Sequence, residues 1–355
     1  MLVPMFVLIA AWGHEDRQRA AMKFFMFTQG SGLLMLLSIL GLVIAHYRES
    51  GELTFDYFTL ARTPLSPALS MLLMLGFFTA FAVKLPVVPV HVWLPDAHTQ
   101  APTAASVLLA GILLKTGGYG MIRFNVMLFP DAASRFAPIA MGLGVAGILY
   151  GAWLSCAQDD VKRLIAYSSI SHMGFVLLGI FTGSRIGMQG AIIQMLAHGL
   201  DTAALFLVAG AIQERLHTRD MHRIGGLWAA MPRLSSAGLF FAVAALGMPG
   251  LGNFAGEFLV LLATWHVSPT IATLTTAGLV LSAIYALRMV NRIFLAAARA
   301  DLRPVRDIPA RQMAVFACVM AFLVVLGLYP QPFMTFSAPS PLSVTAVTGQ
   351  KAVTP

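Results

Sequence analysis

A chain of 355 residues that is 58% hydrophobic and 11% charged, with a mean hydropathy of +0.79, lies outside the balance of a soluble globular domain and reads as an all-α protein dissolved in a bilayer. Its formal charge of +8 does not make it a nucleic-acid binder, because the 23 Lys and Arg are spread over short loops between apolar runs and line no single amphipathic face. The two cysteines, Cys156 and Cys318, sit in apolar stretches with no CxxC partner and no nearby histidine, so neither a disulfide framework nor a metal site is expected.

Residues 1–12, MLVPMFVLIAAW, carry no leading positive charge and no small-residue cleavage pattern, which argues against a signal peptide. At about 1.5 Å per residue they reach roughly 18 Å into a hydrocarbon core about 30 Å thick, the length expected for the inner half of a helix whose beginning is missing. Nine further apolar runs follow, near 23–46, 69–84, 104–122, 137–157, 164–182, 187–212, 235–264, 270–290 and 312–330. The expected fold is a polytopic helix bundle of about ten spans, a single transmembrane domain over 1–333 with a polar tail at 334–355. The connections 47–68, 213–234 and 291–311 are too short to fold alone.

Two spans are interrupted. The third runs into Lys84-Leu-Pro-Val-Val-Pro-Val-His91-Val-Trp93-Leu-Pro95, where prolines cannot continue an α-helix. The eighth contains Gly247-Met-Pro249-Gly-Leu-Gly-Asn253-Phe-Ala-Gly256-Glu257. The breaks lie an odd number of spans apart and therefore cross in opposite directions, which is the pattern of two inverted repeats with discontinuous helices. The repeats are expected at about 1–125, the first and incomplete one, and 137–297, with a final helix at 312–330. Fifteen of the loop cations, Lys162, Arg163, Arg288, Arg292, Arg299 and Arg303 among them, fall on one face, and six, Lys351 among them, on the other. The positive-inside rule makes the first face cytoplasmic and puts both ends of the chain on the other side.

Ionisable groups inside the runs carry the functional reading. Lys115 follows about a dozen apolar residues of ASVLLAGILLKTGG, too deep for its stem to reach water easily. Desolvation there can lower a lysine pKa by roughly 3 to 5 units, which makes it able to exchange protons near neutrality. Lys84 meets the first break, where a lysine snorkelling to the headgroups is the plain alternative, and Glu257 follows the second, where a helix-starting carboxylate is. His172 and His198 are mid-span imidazoles that could bridge a relay or simply pack. Asp201, three residues after His198, stands as its expected orienting partner, and Asp159 and Asp160 read as a solvated ionic loop. No glycine loop for phosphates, no cysteine cluster and no nucleophile triad is present, so no catalytic residue is expected and any redox step belongs to another chain.

The stretch KLPVVPVHVWLPDAHTQAPTAASVLLAGILLKTGGYG at 84–120 resembles the antiporter-like, proton-translocating membrane subunits of respiratory complex I, the NADH-quinone oxidoreductase, and among them the M type, or mitochondrial chain 4 type. DVKRLIAYSSISHMGFVLLGI at 160–180, QMLAHGL at 194–200, ERLHTRDM at 214–221 and GMPGLGNFAGEFLVL at 247–261 extend the resemblance to about residue 333. It implies fourteen helices in two inverted five-helix repeats around a hydrated proton path. Lys84 then corresponds to the lysine of the first broken helix, Lys115 to the central lysine, Glu257 to the glutamate of the second broken helix, and His172 and His198 to the linking histidines. The glutamate counter-charge of Lys84 would fall just before Met1 with roughly four earlier helices, so the resemblance implies an N-terminally truncated chain. It further implies a multi-pass place in a bacterial inner membrane and other membrane-arm subunits of complex I as partners besides the lipid bilayer. NADH, flavin, iron–sulfur clusters and quinone are expected on partner subunits and no cofactor in this chain. A multi-chain sodium/proton antiporter, a membrane-bound hydrogenase arm, and a non-conducting scaffold remain as alternatives. The KTGGYG and GNFAGEF wording favours complex I.

Overall fold

The structure, a computed structural model, describes residues 2–297 and 306–336. The crossings in chain order are α1 (Leu2–Trp12), α2 (Arg17–Ser50), the pair α3 (Pro67–Lys84) and α4 (Trp93–Gln100), α5 (Thr103–Val126), α6 (Pro130–Cys156), α7 (Val161–Phe181), α8 (Arg185–Leu216), the pair α9 (Pro232–Ala245) and α10 (Gly252–Val267), α11 (Pro269–Leu295) and α12 (Ala310–Leu328). Eight contain a helix long and apolar enough to span a membrane; α1 is shorter, and α9/α10 is split into two pieces. This is an all-α, multi-pass membrane protein. Single turns at Tyr57–Leu60, Leu227–Ala230 and Gln331–Phe336 were not foreseen. The polar tail begins inside the last of these; its remainder lies outside the described residues, as do Arg299, Arg303 and Lys351.

Local chemistry sets where the helices start and stop. Ser66 accepts from Leu69 N with Pro67 at the first turn, Asp160 accepts from Arg163 N, Ser184 from Gly187 N, and Ser268 from Ile271 N. Each side chain satisfies an amide that the first turn leaves without a partner. Gly51 ends α2 in the left-handed conformation at φ 73°. These polar caps carry the helices a few residues past the apolar runs at either end.

Burial ranks the helices. In its most apolar window α7 is 94% buried, against 28% for α2 and 17% for α12, so α7 is the central pillar and the other two lie at the periphery of the chain. Two apolar clusters meet around it. One is built mainly from α1 to α7 with Phe77, Phe78, Phe81 and Trp93, the other mainly from α7 to α12 with Phe206, Phe241 and Phe294.

At each break a side-chain donor from beyond the interruption bonds a carbonyl at the end of the preceding helix. The indole Nε1 of Trp93 donates to Val83 O at 2.9 Å across the first break, and Asn253 Nδ2 donates to Ala244 O at 2.9 Å across the second. Without Trp93 the Val83 carbonyl would be unsatisfied in an apolar medium, at a cost of several kcal/mol, whereas Ala244 O also accepts from Gly247 N at 3.0 Å and Asn253 supplies its second donor. In α5 a π-helical stretch, Leu109–Leu113, ends two residues before Lys115. Lys115 Nζ donates to Ala110 O in that stretch. Wide turns of this kind recur at functional sites.

A buried row of ionisable groups as the candidate functional site

Four of the five residues singled out in the sequence form one row. Lys115 Nζ lies 2.8 Å from His198 Nδ1, the rings of His198 and His172 have centroids 5.4 Å apart, and His172 Nδ1 lies 2.8 Å from Glu257 Oε1. The row therefore runs α5, α8, α7, α10, from the central lysine to the second broken helix. His198, His172 and Glu257 are buried. Lys115 as a whole is half-buried, and its ammonium has two partners, Ala110 O and His198 Nδ1.

The partners fix the protons. An ammonium only donates, so His198 Nδ1 accepts from Lys115 and its proton sits on Nε2. Glu257 accepts from His172 Nδ1–H, and His172 Nε2 then accepts from the Tyr285 hydroxyl at 3.2 Å. Gln194 Nε2 adds a second bond to Glu257 Oε1 at 3.2 Å. Two backbone positions make room. A Cβ on Gly199 would fall 3.2 Å from Lys115 Cε and 3.0 Å from Gly111 O. Gly247, at φ +79°, faces Glu257 Oε2, which a Cβ there would meet at 2.7 Å.

Lys84 is not joined to the row. It is half-buried at the end of α3 with its ammonium 6.0 Å from the Phe81 ring centroid, and no described residue forms a hydrogen bond or ion pair with it. The break itself abuts α5, because a Cβ on Gly117 would lie 2.7 Å from Leu85 N and 2.9 Å from Phe81 O.

Two expectations are corrected. Asp201 does not orient His198; its Oδ2 accepts from Asn253 Nδ2 at 3.0 Å, since the α8 face it occupies turns toward the second break. Lys162 is not a solvated loop cation, because it begins α7 and is fully buried, donating to Ala101 O at 3.1 Å. Asp159 is more than a loop charge as well: its Oδ1 accepts from Arg288 and Arg292, each at 2.7 Å, and lies 3.0 Å from His222 Nε2. Arg288 and Arg292, read as topology anchors, thus tie the end of α11 to the α6–α7 turn.

Gln194, Tyr285, Asn253 and His98 were not picked out as site residues. Gln194, His198 and Asp201 stand at i−4, i and i+3 on one stripe of α8, a spacing visible in QMLAHGLD. Tyr285 is a lone phenol in LSAIYALRM, with no spacing to mark it. His98 is fully buried on α4 and stacks on Phe206 at 4.5 Å, and Lys115 and Lys162 are the cations whose charges act on it.

Membrane crossings broken at two related places, with a buried row of ionisable groups passing between helices to one of the breaks, define an antiporter-like membrane unit. Residues 1–284 match the sequence profile of the family described as NADH:quinone oxidoreductase/Mrp antiporter, TM. NADH-quinone oxidoreductase subunit M of Pseudomonas aeruginosa is 56% identical over 346 residues, covering 96% of this chain and 68% of that protein. The subunit M of Escherichia coli K12 is 54% identical over 345 residues, covering 95% and 68%. A chain in the solved structure described as respiratory complex I from Thermus thermophilus with bound NADH superposes with a TM-score of 0.89 at 33% identity, over 98% of this chain and 72% of that one. The chain belongs to the NADH:quinone oxidoreductase/Mrp antiporter membrane family.

Proposed function

We propose that this chain is a proton-translocating subunit of the membrane arm of an NADH-quinone oxidoreductase, in which Lys115, His198, His172 and Glu257 pass protons laterally through the membrane midplane. The observation that carries the reading is the pair of 2.8 Å contacts, Lys115 to His198 and His172 to Glu257, joined through two facing imidazoles. A proton on Lys115 Nζ moves to His198 Nδ1 along the existing bond. His198 then gives up the proton on its Nε2 to His172 Nε2, which must first release the Tyr285 hydroxyl, and His172 gives up its Nδ1 proton to Glu257 Oε1. The Tyr285 hydroxyl, by donating to Nε2, favours the tautomer that carries its proton on Nδ1 toward Glu257, the form the ring resumes once Nε2 has lost a proton and Nδ1 has regained one. Lys84, half-buried beside the first break, acts on this row through its charge.

The driving energy and the redox chemistry belong to partner subunits, which would hold the NADH, flavin, iron–sulfur and quinone sites. The face rich in arginine is assigned to the cytoplasm of a bacterial inner membrane, which puts both ends of the chain on the periplasmic side. The test is Lys115→Ala in the full-length protein within the assembled complex, reconstituted in liposomes. NADH-to-quinone electron transfer with fewer protons moved per electron is expected. An unchanged ratio in the assembled complex would make the chain a scaffold and end the proposal.

A further inference from the structure

The C-terminal end of α4, the second half of the first broken helix, is held in a way that the row of proton carriers does not require. Three consecutive carbonyls there receive donors from three separate parts of the chain. Arg219 Nη1 donates to Thr99 O, His14 N to Gln100 O at 2.9 Å, and Lys162 Nζ to Ala101 O at 3.1 Å. Helix C-terminal carbonyls lack intrahelical partners and carry partial negative charge, so two cations there match the local field.

We propose that Lys162 and Arg219 form a cationic clasp on the end of α4 that ties the first broken helix to the segment leaving α8, so that the two halves of the molecule move together at the arginine-rich face. As positioning residues for proton transfer they rest on the function proposed above.

Lys162 is fully buried, and no carboxylate lies within ion-pair distance of it among the described residues. Taking an ammonium out of water is expensive, so a buried lysine aimed at a main-chain carbonyl implies a bond that the fold needs. Its nearby acid, Asp160, is taken by Arg219 at 3.2 Å. Arg219 is no free side chain either. Its carbonyl accepts from Val161 N at 3.1 Å, Met221 N donates to Asp159 O at 2.9 Å, and Asp160 and Asp220 pair as an antiparallel bridge. The start of α7 and the segment after α8 are thus one unit, and that unit grips α4. Because α8 carries Gln194, His198 and Asp201, a tilt of the first broken helix reaches the row through its backbone as well as through Lys84.

The experiment uses the full-length protein in the assembled complex with Lys162→Met, Arg219→Gln and both together, followed by amide hydrogen exchange and by protons moved per electron. Each single variant is expected to quicken exchange about tenfold in both Trp93–Ala101 and 217–221, as loss of a charge-assisted hydrogen bond implies. The double variant is expected to add little to either single one, and the proton-to-electron ratio is expected to fall while electron transfer persists. Exchange unchanged in Trp93–Ala101, or effects of the two variants that add independently, overturns the clasp. If Lys162→Met blocks assembly, Arg219→Gln, at a partly exposed side chain, decides alone. Normal pumping by Lys115→Ala with coupled exchange intact would sink the function and leave the clasp; lost pumping with uncoupled exchange would do the reverse.

Discussion

Lys115 and His198 meet at 2.8 Å only because the residue after the histidine has no side chain: the lysine stem passes over the α8 backbone at Gly199. Gly199→Ala is therefore expected to push the ammonium off His198 Nδ1, since the new methyl meets the fixed Gly111 carbonyl on one side and the flexible Lys115 stem on the other. Overpacking of this sort costs about 1–3 kcal/mol. The measurement is protons moved per electron by the assembled complex; a ratio equal to the parent's would show that the contact is not on the path.

Gly247 allows the second helix to break where Glu257 Oε2 fills the space beside it. Gly247→Ala forces a left-handed residue to carry a side chain, worth on the order of 1–3 kcal/mol of strain, and adds a methyl against the carboxylate. The expected outcome is a lower temperature for loss of the subunit from purified complex, with pumping falling more than electron transfer. Equal losses of both would place the damage in assembly alone.

Asn253 serves two acceptors, Asp201 Oδ2 and Ala244 O. Asn253→Leu strands a buried carboxylate, a loss of about 1–3 kcal/mol, and leaves Ala244 O with Gly247 N as its remaining donor at 3.0 Å. Asp201→Asn should soften that loss, giving a coupling energy of roughly 0.5–3 kcal/mol in a double-mutant cycle on thermal stability. Strict additivity would mean that the two side chains are not partners in the membrane.

His14, in the turn between α1 and α2, has its imidazole held below the ordinary 6.5 by burial first and then by the charges of Lys162 and Arg219. The unfolded chain thus takes up this proton before the folded one does. Stability contributed by His14 is fully present above 6.5, declines as pH falls from there toward the lower folded value, and declines no further below it. Gln213 Nε2 donates to neutral His14 Nε2 at 3.2 Å, a bond that protonation replaces with two facing donors. Complex carrying His14→Asn should lose less thermal stability than the parent between about pH 7 and pH 5. Identical pH profiles would remove His14 as the cause.

The spans were legible because apolar runs bounded by charge, proline and capping serines are what a bilayer demands, and the helix limits agree to within a few residues apart from the ends of α2 and the start of α6. Lys115, His172, His198 and Glu257 were legible for the complementary reason: each is an ionisable group where charge is costly. Lys162 was misread because a cation at the head of an apolar run looks the same whether it faces water or a carbonyl from another helix. The partner of Asp201 was misread because spacing along one helix is silent about the helix packed against it. Tyr285 and Asn253 depend on contacts between residues 113 and 52 positions apart, which no local pattern encodes.

The donors that close the two breaks differ in kind. An indole, which does not titrate, pins the first to Val83 O, while the second is closed by an amide that also serves Asp201. Neutralising that carboxylate weakens its hold on Asn253 and so reaches the backbone of the second break, whereas among the described residues no titratable side chain bonds the Trp93 indole. The pseudosymmetric halves are thus unequal parts of one device: one hinge carries a fixed pin, the other a pin that senses charge.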